Sequence, residues 1–489
     1  MAVADLREWI RSLDEKGELG RIKAEVDWDE EMGAITREIS SRYGPALLFE
    51  NIRGYQNTPC RRLFTNGTGT PQRVCRLLGL PEETSYRDLV LNFKERFLRP
   101  VEPRRVERGP VKENIVAGEA VDLFQLPVPK WNPLDGGRYI MTSASVVTMD
   151  PETKTLNAGT YRGMISTNKT ISVLLAATQG WGKHFTKYRQ AGEEMPVAVV
   201  LGWDPTLFLA ASTPVSYPEY EMAGSLRGSP VELVRCETSD LWVPATAEIV
   251  LEGRISPDPK SFELEGPYSE YPGYYGGKRV PKHTIRVECV TYRNDPIFTG
   301  CLTGSSPGRT NEGTTWTPAT FSAVIWNYLE QAGVPNVLGV WRGKWPEIIR
   351  VQIRKTHRGH AQQVAMALWG SHVANYAAKH LIVVDDDIDI FDGEAIEWAL
   401  AYRVNGAMGD ISLFPGTSGS MLDPSVPIEE RDSVKYGHGK WTRVLVDATI
   451  NWELEPQEQY GGGRYPPLGT AISPKMQETL KRRWREYGL

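Results

Sequence analysis

Met195–Ser212 reads M-P-V-A-V-V-L-G-W-D-P-T-L-F-L-A-A-S and is the longest apolar stretch of the chain. Asp204 and Pro205 break it, so it is too interrupted to span a bilayer. It reads instead as two short strands, Val197–Gly202 and Leu207–Ala211, joined by an Asp-Pro turn. The same texture extends outward on both sides. Ser143–Thr148, Thr170–Ala176, Leu241–Val243, Ala247–Glu252 and Thr284–Tyr292 are short runs rich in β-branched and apolar residues. Pro257-Asp258, Gly276-Gly277 and Asn294-Asp295 supply turns between them. Many short strands at close spacing predict a barrel-like β domain over residues 117–316, interrupted by one helix at Lys183–Gln190.

The flanks differ. Residues 1–116 read mainly as helices, at Asp5–Lys16, Glu30–Tyr43, Pro71–Leu78 and Tyr86–Leu98, closed by a linker around Pro100, Pro103 and Pro110. Residues 317–489 alternate β and α. Helices are expected at Pro318–Ala332, His360–Lys379, Ala395–Arg403 and near Pro474–Tyr487, and strands at Ile348–Ile353 and Leu381–Val384. That alternation implies a partly parallel sheet. The expected fold class is therefore α+β and multidomain.

The chain has 489 residues, a net charge of −5, 24% charged and 40% apolar residues. No basic field exists to hold a nucleic-acid backbone. Cys60, Cys75, Cys236, Cys289 and Cys301 are scattered, which disfavours a thiolate metal site and a disulfide framework. The acidic, amphipathic N-terminus is not a signal peptide, so a cytoplasmic location is expected. No histidine pair has metal-site spacing with an acidic partner, and no phosphate-loop or nucleophile-elbow motif stands out.

Candidate chemistry lies in four places. Glu265-Gly-Pro-Tyr-Ser-Glu270 sets two carboxylates five residues apart around a Gly-Pro turn. Crowded carboxylates drive one pKa upward, which keeps an acid protonated for proton donation. The same spacing also describes a solvated acidic turn. Asn157-Ala-Gly-Thr-Tyr161-Arg162 offers a neutral oxygen for a hard cation and a guanidinium for a carboxylate, or simply a polar strand edge. Glu219 lies in a proline-framed loop and reads as a metal ligand or as part of a rigid surface loop. The Asp385-Asp386-Asp387 run caps a strand, where Mg2+ binding and plain helix capping both fit.

These pieces occur in an order that resembles the UbiD-like family of prenylated-FMN-dependent decarboxylases. The resemblance runs from about Ile35 to the C-terminal helix. It rests on Asn157–Arg162, Pro196–Pro205, Glu221–Gly228, Val243–Gly253, Glu265–Gly277, Gly359–Val364 and the Ile382–Ile388 strand end. It implies a central split β-barrel that holds flavin, between an N-terminal and a C-terminal α/β domain, and a helix that joins subunits into a homodimer or larger homo-oligomer. It implies prenylated FMN made by a separate flavin prenyltransferase, with Mn2+ and K+.

By matching position, Arg162, Glu265 and Glu270 would form the catalytic network, with Glu270 as the proton donor to carbon. Asn157 and Glu219 would hold the metal and flavin phosphate. Tyr161, Gln179 and Ala211-Ser212-Thr213-Pro214 would touch the flavin. The family's third metal ligand, a histidine, is replaced near Gln179 or Gly180, and His184 one turn later is the candidate substitute.

The implied activity is reversible, non-oxidative decarboxylation of a small aromatic or heteroaromatic acid, releasing CO2. The polar stretch Thr303–Trp316, with Arg309, Asn311 and Glu312, points to a polar substrate. A polyprenyl-hydroxybenzoate decarboxylase, a flavin-binding subunit of a multi-component carboxylase and an ordinary flavin reductase are the competing readings.

Overall fold

The computed structural model describes residues 3–374, 377–431 and 439–488. Its centre is an eight-stranded antiparallel sheet. Along it run Leu156–Gly159, Ser145–Met149, Met195–Leu201, Ile249–Ile255, Thr284–Tyr292, Thr170–Val173 and Gly163–Thr167, and Asn114–Ala117 adds to Thr284–Tyr292. The first and last strands of that path, Leu156–Gly159 and Gly163–Thr167, are consecutive in sequence. Only Thr160, Tyr161 and Arg162 separate them. The sheet must therefore curl until its two edges meet, and these three residues span the seam. Such curling follows from strand twist and gives the incompletely closed barrel its shape.

The strands are apolar because both faces are covered. Val197, Val199 and Leu201 pack into one core with Ile249, Leu251 and Ile285. Ala198 and Val200 face a second core shared with the helices of both flanks. Met195–Leu201 is thus a buried central strand, as its uninterrupted apolar run implies.

Leu207–Ala211 is not a strand. Pro205–Ala211 is a helix: the Asp204 carboxylate accepts the Thr206 N–H and Pro205 occupies the first turn. A capping acid followed by proline starts a helix, and that signal outweighs the apolar composition of the run.

The N-terminal region keeps its four helices, at Leu6–Glu15, Glu31–Ser41, Pro71–Leu77 and Tyr86–Arg96. It also holds strands Leu19–Ile22, Ala46–Phe49 and Arg62–Thr65, which the helical reading missed. They form one sheet with Ile297–Thr299, contributed by the chain well beyond the barrel's start. The expected linker is partly structured as well, since Arg104–Arg105 pairs with Glu232–Arg235.

In the C-terminal region Ile348–Ile353, His380–Val384 and Gly439–Ala448 run parallel, edged by antiparallel Val337–Trp341 and Ile411–Gly419. The helix expected over His360–Lys379 ends at Trp369 and is followed by a short 3₁₀ turn, His372–Ala374. Residues 375–376 of that expected helix lie outside the described residues. The Asp385-Asp386-Asp387 run is structural. The Asp387 carboxylate accepts from Arg403 (Nη1 to Oδ1, 2.8 Å), and the Asp385 carboxylate accepts the Ile450 N–H at 2.5 Å. No described helix is long and apolar enough to cross a membrane.

Candidate active site

The seam of the curled sheet carries the site. Arg162 lies between the two carboxylates of the 265–270 turn. Its Nη2 donates to Glu265 Oε2 at 2.9 Å, and its Nη1 makes an ion-pair contact with Glu270 Oε1. Glu265 is fully buried, and Arg162 and Glu270 are nearly so.

Two residues that the sequence did not single out build this arrangement. The Tyr139 hydroxyl donates to Glu265 Oε1 at 2.8 Å and also lies 3.1 Å from the Pro267 carbonyl. Burial and the neighbouring Glu265 carboxylate hold the Tyr139 phenol protonated, well above its ordinary range. Asp135 accepts the Ser269 N–H at 3.0 Å and the Asn132 N–H at 2.9 Å, which fixes the turn just before Glu270. Both lie in the Gly-rich stretch Asp135-Gly-Gly-Arg-Tyr139. Gly136 is required there, because a Cβ would stand 2.0 Å from the Gly266 carbonyl oxygen. The close packing of these two loops is a tertiary contact, and glycines without a motif do not announce it.

Glu270 is held differently. A Cβ on Gly276 would come within 2.6 Å of its Cγ and 3.2 Å of Leu422 Cδ2. Glu270 is therefore roofed by a glycine turn and by a residue of the C-terminal region. Arg162 and Glu270 line a cavity of about 620 Å³ together with Leu174, Lys282, Leu422 and Arg431. Buried Arg162 Nε has no protein hydrogen-bond partner among the described residues. A donor left in that condition beside a cavity suits a ligand that completes it.

The residues assigned to cofactor and metal cluster on the other side of the seam. Tyr161 stacks on Trp181 at 4.2 Å between ring centroids. Asn157 Nδ2 reaches the Tyr161 hydroxyl at 3.3 Å, and the Trp181 N–H donates to the same oxygen at 3.3 Å. Asn157 Oδ1 packs against Gly180, where a Cβ would stand 1.8 Å away. Glu219 Oε2 accepts the N–H of Ala158 at 2.9 Å, so its carboxylate is beside Asn157. Burial pushes the Glu219 carboxyl up to about 7. Thr160 ties the seam to the 211–214 stretch: its N–H donates to the Ala211 carbonyl at 3.1 Å and its hydroxyl meets Ser212 Oγ at 3.0 Å. Thr213 turns inward, donating to the Leu209 carbonyl at 2.7 Å.

The third ligand position is not filled as neatly. Gln179 Oε1 already accepts from the Ala176 N–H at 3.2 Å and from Trp181 Nε1 at 3.0 Å. His184 is buried with Nδ1 at 2.9 Å from Thr148 Oγ1, and burial lowers its pKa. Among the described residues no group of three or more His, Cys, Asp or Glu side chains could hold a metal. The donors that fit a hard cation are the Asn157 carbonyl and the Glu219 carboxylate, one neutral and one acidic oxygen.

The expected polar wall at Thr303–Trp316 divides: Thr303, Ser305, Asn311, Thr314 and Trp316 face a cavity, while Glu312 and Arg309 are engaged elsewhere. Glu312 is buried and accepts N–H groups from Asn66 and Thr68, both at 3.1 Å, so it pins the barrel to the N-terminal region. Arg309 pairs with Glu38 at the surface, 3.1 Å away. Asn311 does line a second cavity, of about 310 Å³, beside Thr303, Thr160 and Ser212.

The site is thus an Arg held between two acids at the seam of a curled antiparallel barrel, with an Asn–Glu corner nearby. The chain belongs to the UbiD family of carboxy-lyases. Three family models match it in succession. They are the 3-octaprenyl-4-hydroxybenzoate carboxy-lyase N-terminal domain at residues 10–91, Rift-related domain at 104–306 and C-terminal domain at 315–448.

The pyrrole-2-carboxylic acid decarboxylase of Pseudomonas aeruginosa is 32% identical, over 99% of this chain and 98% of its own. The vanillic acid decarboxylase of Sedimentibacter hydroxybenzoicus in its closed form superposes with a TM-score of 0.86 at 30% identity, covering 99% of this chain and 100% of that one. Its open form gives 0.80. A UbiD-class enzyme of Pelotomaculum thermopropionicum, HmfF, in an evolved dimeric form in complex with prFMN, gives 0.77 at 28% identity, covering 98% of each chain.

Proposed function

We propose that this chain is a reversible, non-oxidative decarboxylase of small aromatic or heteroaromatic carboxylic acids that works with prenylated FMN. The observation that carries the reading is Arg162 held between Glu265 and Glu270 on the wall of a 620 Å³ cavity at the seam of the barrel.

Losing CO2 from an sp2 carbon leaves charge that no side chain here can delocalise, and bound prenylated flavin would supply the electron sink. The chain's own groups do the rest. Arg162 would orient the substrate carboxylate through charge-assisted hydrogen bonds. Glu265, gripped by Tyr139, would keep the guanidinium in place. Glu270 has Arg162 as its one described ion-pair partner, and it would deliver a proton to the carbon that lost CO2. Leu422 and Gly276 would keep water from competing for that carbon. Asn157 and Glu219 would hold Mn2+ against the flavin phosphate, with K+ nearby, and Tyr161 and residues 211–214 would line the flavin. His184 and Gln179 are the side chains nearest in sequence to a third ligand position.

A homo-oligomer is part of the same proposal. The helix Pro474–Arg483 buries none of its residues, and Leu468, Ile472, Met476 and Trp484 are exposed. An arm with that much uncovered apolar surface suits a subunit contact. Light scattering on the purified chain should give a mass of at least two subunits.

The direct test is co-expression with a flavin prenyltransferase, then assay against benzoic, phenolic, furoic, pyrrole and indole acids with release of CO2 as the readout. Turnover that requires the prenyltransferase supports the reading. Full activity with unmodified FMN, or none on any acid of the panel by a flavin-loaded protein, would overturn it.

A further inference from the structure

Glu270 is followed at once by a tyrosine whose side chain reaches the C-terminal region. The Tyr271 hydroxyl lies 3.0 Å from Glu347 Oε1 and 3.2 Å from Ser420 Oγ. Ser420 Oγ accepts the Leu422 N–H at 3.1 Å. A hydroxyl has one proton to give and an ionised carboxylate has none, so the donors run in one direction. The Leu422 N–H donates to Ser420, the Ser420 hydroxyl to Tyr271, and the Tyr271 hydroxyl to Glu347. Burial and the Glu347 carboxylate keep the Tyr271 phenol protonated, well above its ordinary range.

Both ends of this hydrogen-bonded run are anchored in the C-terminal sheet. The Glu347 carbonyl accepts the His380 N–H at 2.7 Å, where Ile348–Ile353 and His380–Val384 begin. Arg342 acts on the Glu347 carboxylate as a neighbouring positive charge. The loop that carries Ser420 and Leu422 is tied down by Asp423, whose Oδ2 accepts from Lys379 Nζ and Trp441 Nε1, each at 2.8 Å. On the barrel side the Tyr271 carbonyl accepts the Ser305 N–H at 3.2 Å.

The run also begins and ends at the catalytic cavity. Glu270 is one peptide unit from Tyr271, and consecutive Cα atoms are held about 3.8 Å apart. Leu422 lines the cavity together with Glu270. A Cβ on Gly276 would meet both, 2.6 Å from Glu270 Cγ and 3.2 Å from Leu422 Cδ2. Among the described residues the Glu270 carboxylate pairs with Arg162 alone, so the backbone of its turn must do much of the placing.

We propose that Tyr271 is a positioning residue. Clasped by Glu347 and Ser420, it holds the Glu270 turn in register with Leu422, so that the acid faces the reacting carbon and water is shut out. The reaction is taken from the decarboxylase reading, whereas the clasp rests on its own hydrogen bonds. A misplacement of about 1 Å at a reacting group costs about 10²-fold in rate, which is how a residue acting only through its neighbour matters.

Two measurements on flavin-loaded protein test it. The first is amide hydrogen–deuterium exchange, which needs no turnover. Tyr271→Phe keeps the ring and removes the hydroxyl. It should speed exchange about tenfold in peptides covering residues 268–276 and 419–424 together, with the strand Ile249–Ile255 unchanged.

The second is steady-state kinetics. Tyr271→Phe should lose about tenfold to 10²-fold in kcat with KM within about threefold of wild type. Glu347→Gln keeps an oxygen that accepts from Tyr271 and should retain most of the rate, whereas Glu347→Ala should match Tyr271→Phe. The double variant should be no slower than either single one, as expected of residues that act as a unit. Should Glu347→Ala fail to fold, Tyr271→Phe and Glu347→Gln carry the comparison.

Unchanged exchange in either segment of Tyr271→Phe overturns the clasp. A wild-type kcat in Tyr271→Phe, or losses that multiply in the double variant, overturns its positioning role. If both segments loosen but the wild type decarboxylates no acid, the clasp stands and the proposed reaction fails. If acids turn over and neither segment loosens, the reverse holds.

Discussion

Glu265 and Glu270 belong to one turn and share one arginine, yet their surroundings differ. Glu265 is sealed in the barrel, with Tyr139 on one oxygen and Arg162 on the other. Among the described residues the Glu270 carboxylate pairs with Arg162 alone, beside Gly276 at the edge of a cavity that Leu422 also lines. The first carboxylate is immobilised by its neighbours, and the second is left with an oxygen for chemistry. The difference assigns positioning to Glu265 and proton delivery to Glu270, and it can be broken in steps.

The largest effect is expected at Glu270. Glu270→Gln should lose about 10² to 10⁴-fold in kcat, the usual contribution of a positioned acid, while retaining flavin absorbance. Normal turnover by that variant would erase the distinction between the two acids. Glu265→Gln removes a buried charge partner from Arg162 and should cost about 1–3 kcal/mol of positioning, or roughly tenfold to 10²-fold in rate. It should also lower Tm, which Glu270→Gln should not. Tyr139→Phe leaves Glu265 with its arginine and removes one hydrogen bond. It should cost about 1 kcal/mol of stability and only a few-fold in kcat, read by thermal unfolding and steady-state rates.

The smallest effect tests the Asn157–Glu219 corner. Burial sets the Glu219 carboxyl at about 7, above its ordinary 4.5. A folded pKa above the unfolded one means that ionising Glu219 destabilises the cation-free fold as pH rises through 7. A divalent cation removes that penalty. Mn2+ should therefore raise the Tm of flavin-free protein more at pH 8 than at pH 6, and a pH-independent shift would argue against Glu219 as a ligand.

The sequence made the barrel legible where strands were long and β-branched. Thr284–Tyr292 and Ile348–Ile353 are strands with the boundaries read from their composition. It failed where elements were short. Ala46–Phe49 and Arg62–Thr65 are four residues each, almost wholly buried and without alternation, so no period marks them. At Leu207–Ala211 apolar composition hid a helix that Asp204 and Pro205 announced.

The site shows the same division. The chemistry-bearing residues Arg162, Glu265 and Glu270 were visible as residue types, and the fold gathers them. Tyr139 and Asp135 act through packing of two distant loops, a contact that one sequence cannot display.

The central assignment can be measured at one atom. Flavin-loaded enzyme is incubated with its decarboxylated product in D2O, and deuterium at the carbon that carried the carboxylate is followed by NMR. If Glu270 moves that proton, wild-type enzyme exchanges it and Glu270→Gln slows the exchange by about 10²-fold or more, with flavin still bound. Exchange by Glu270→Gln at the wild-type rate would show that another group carries the proton.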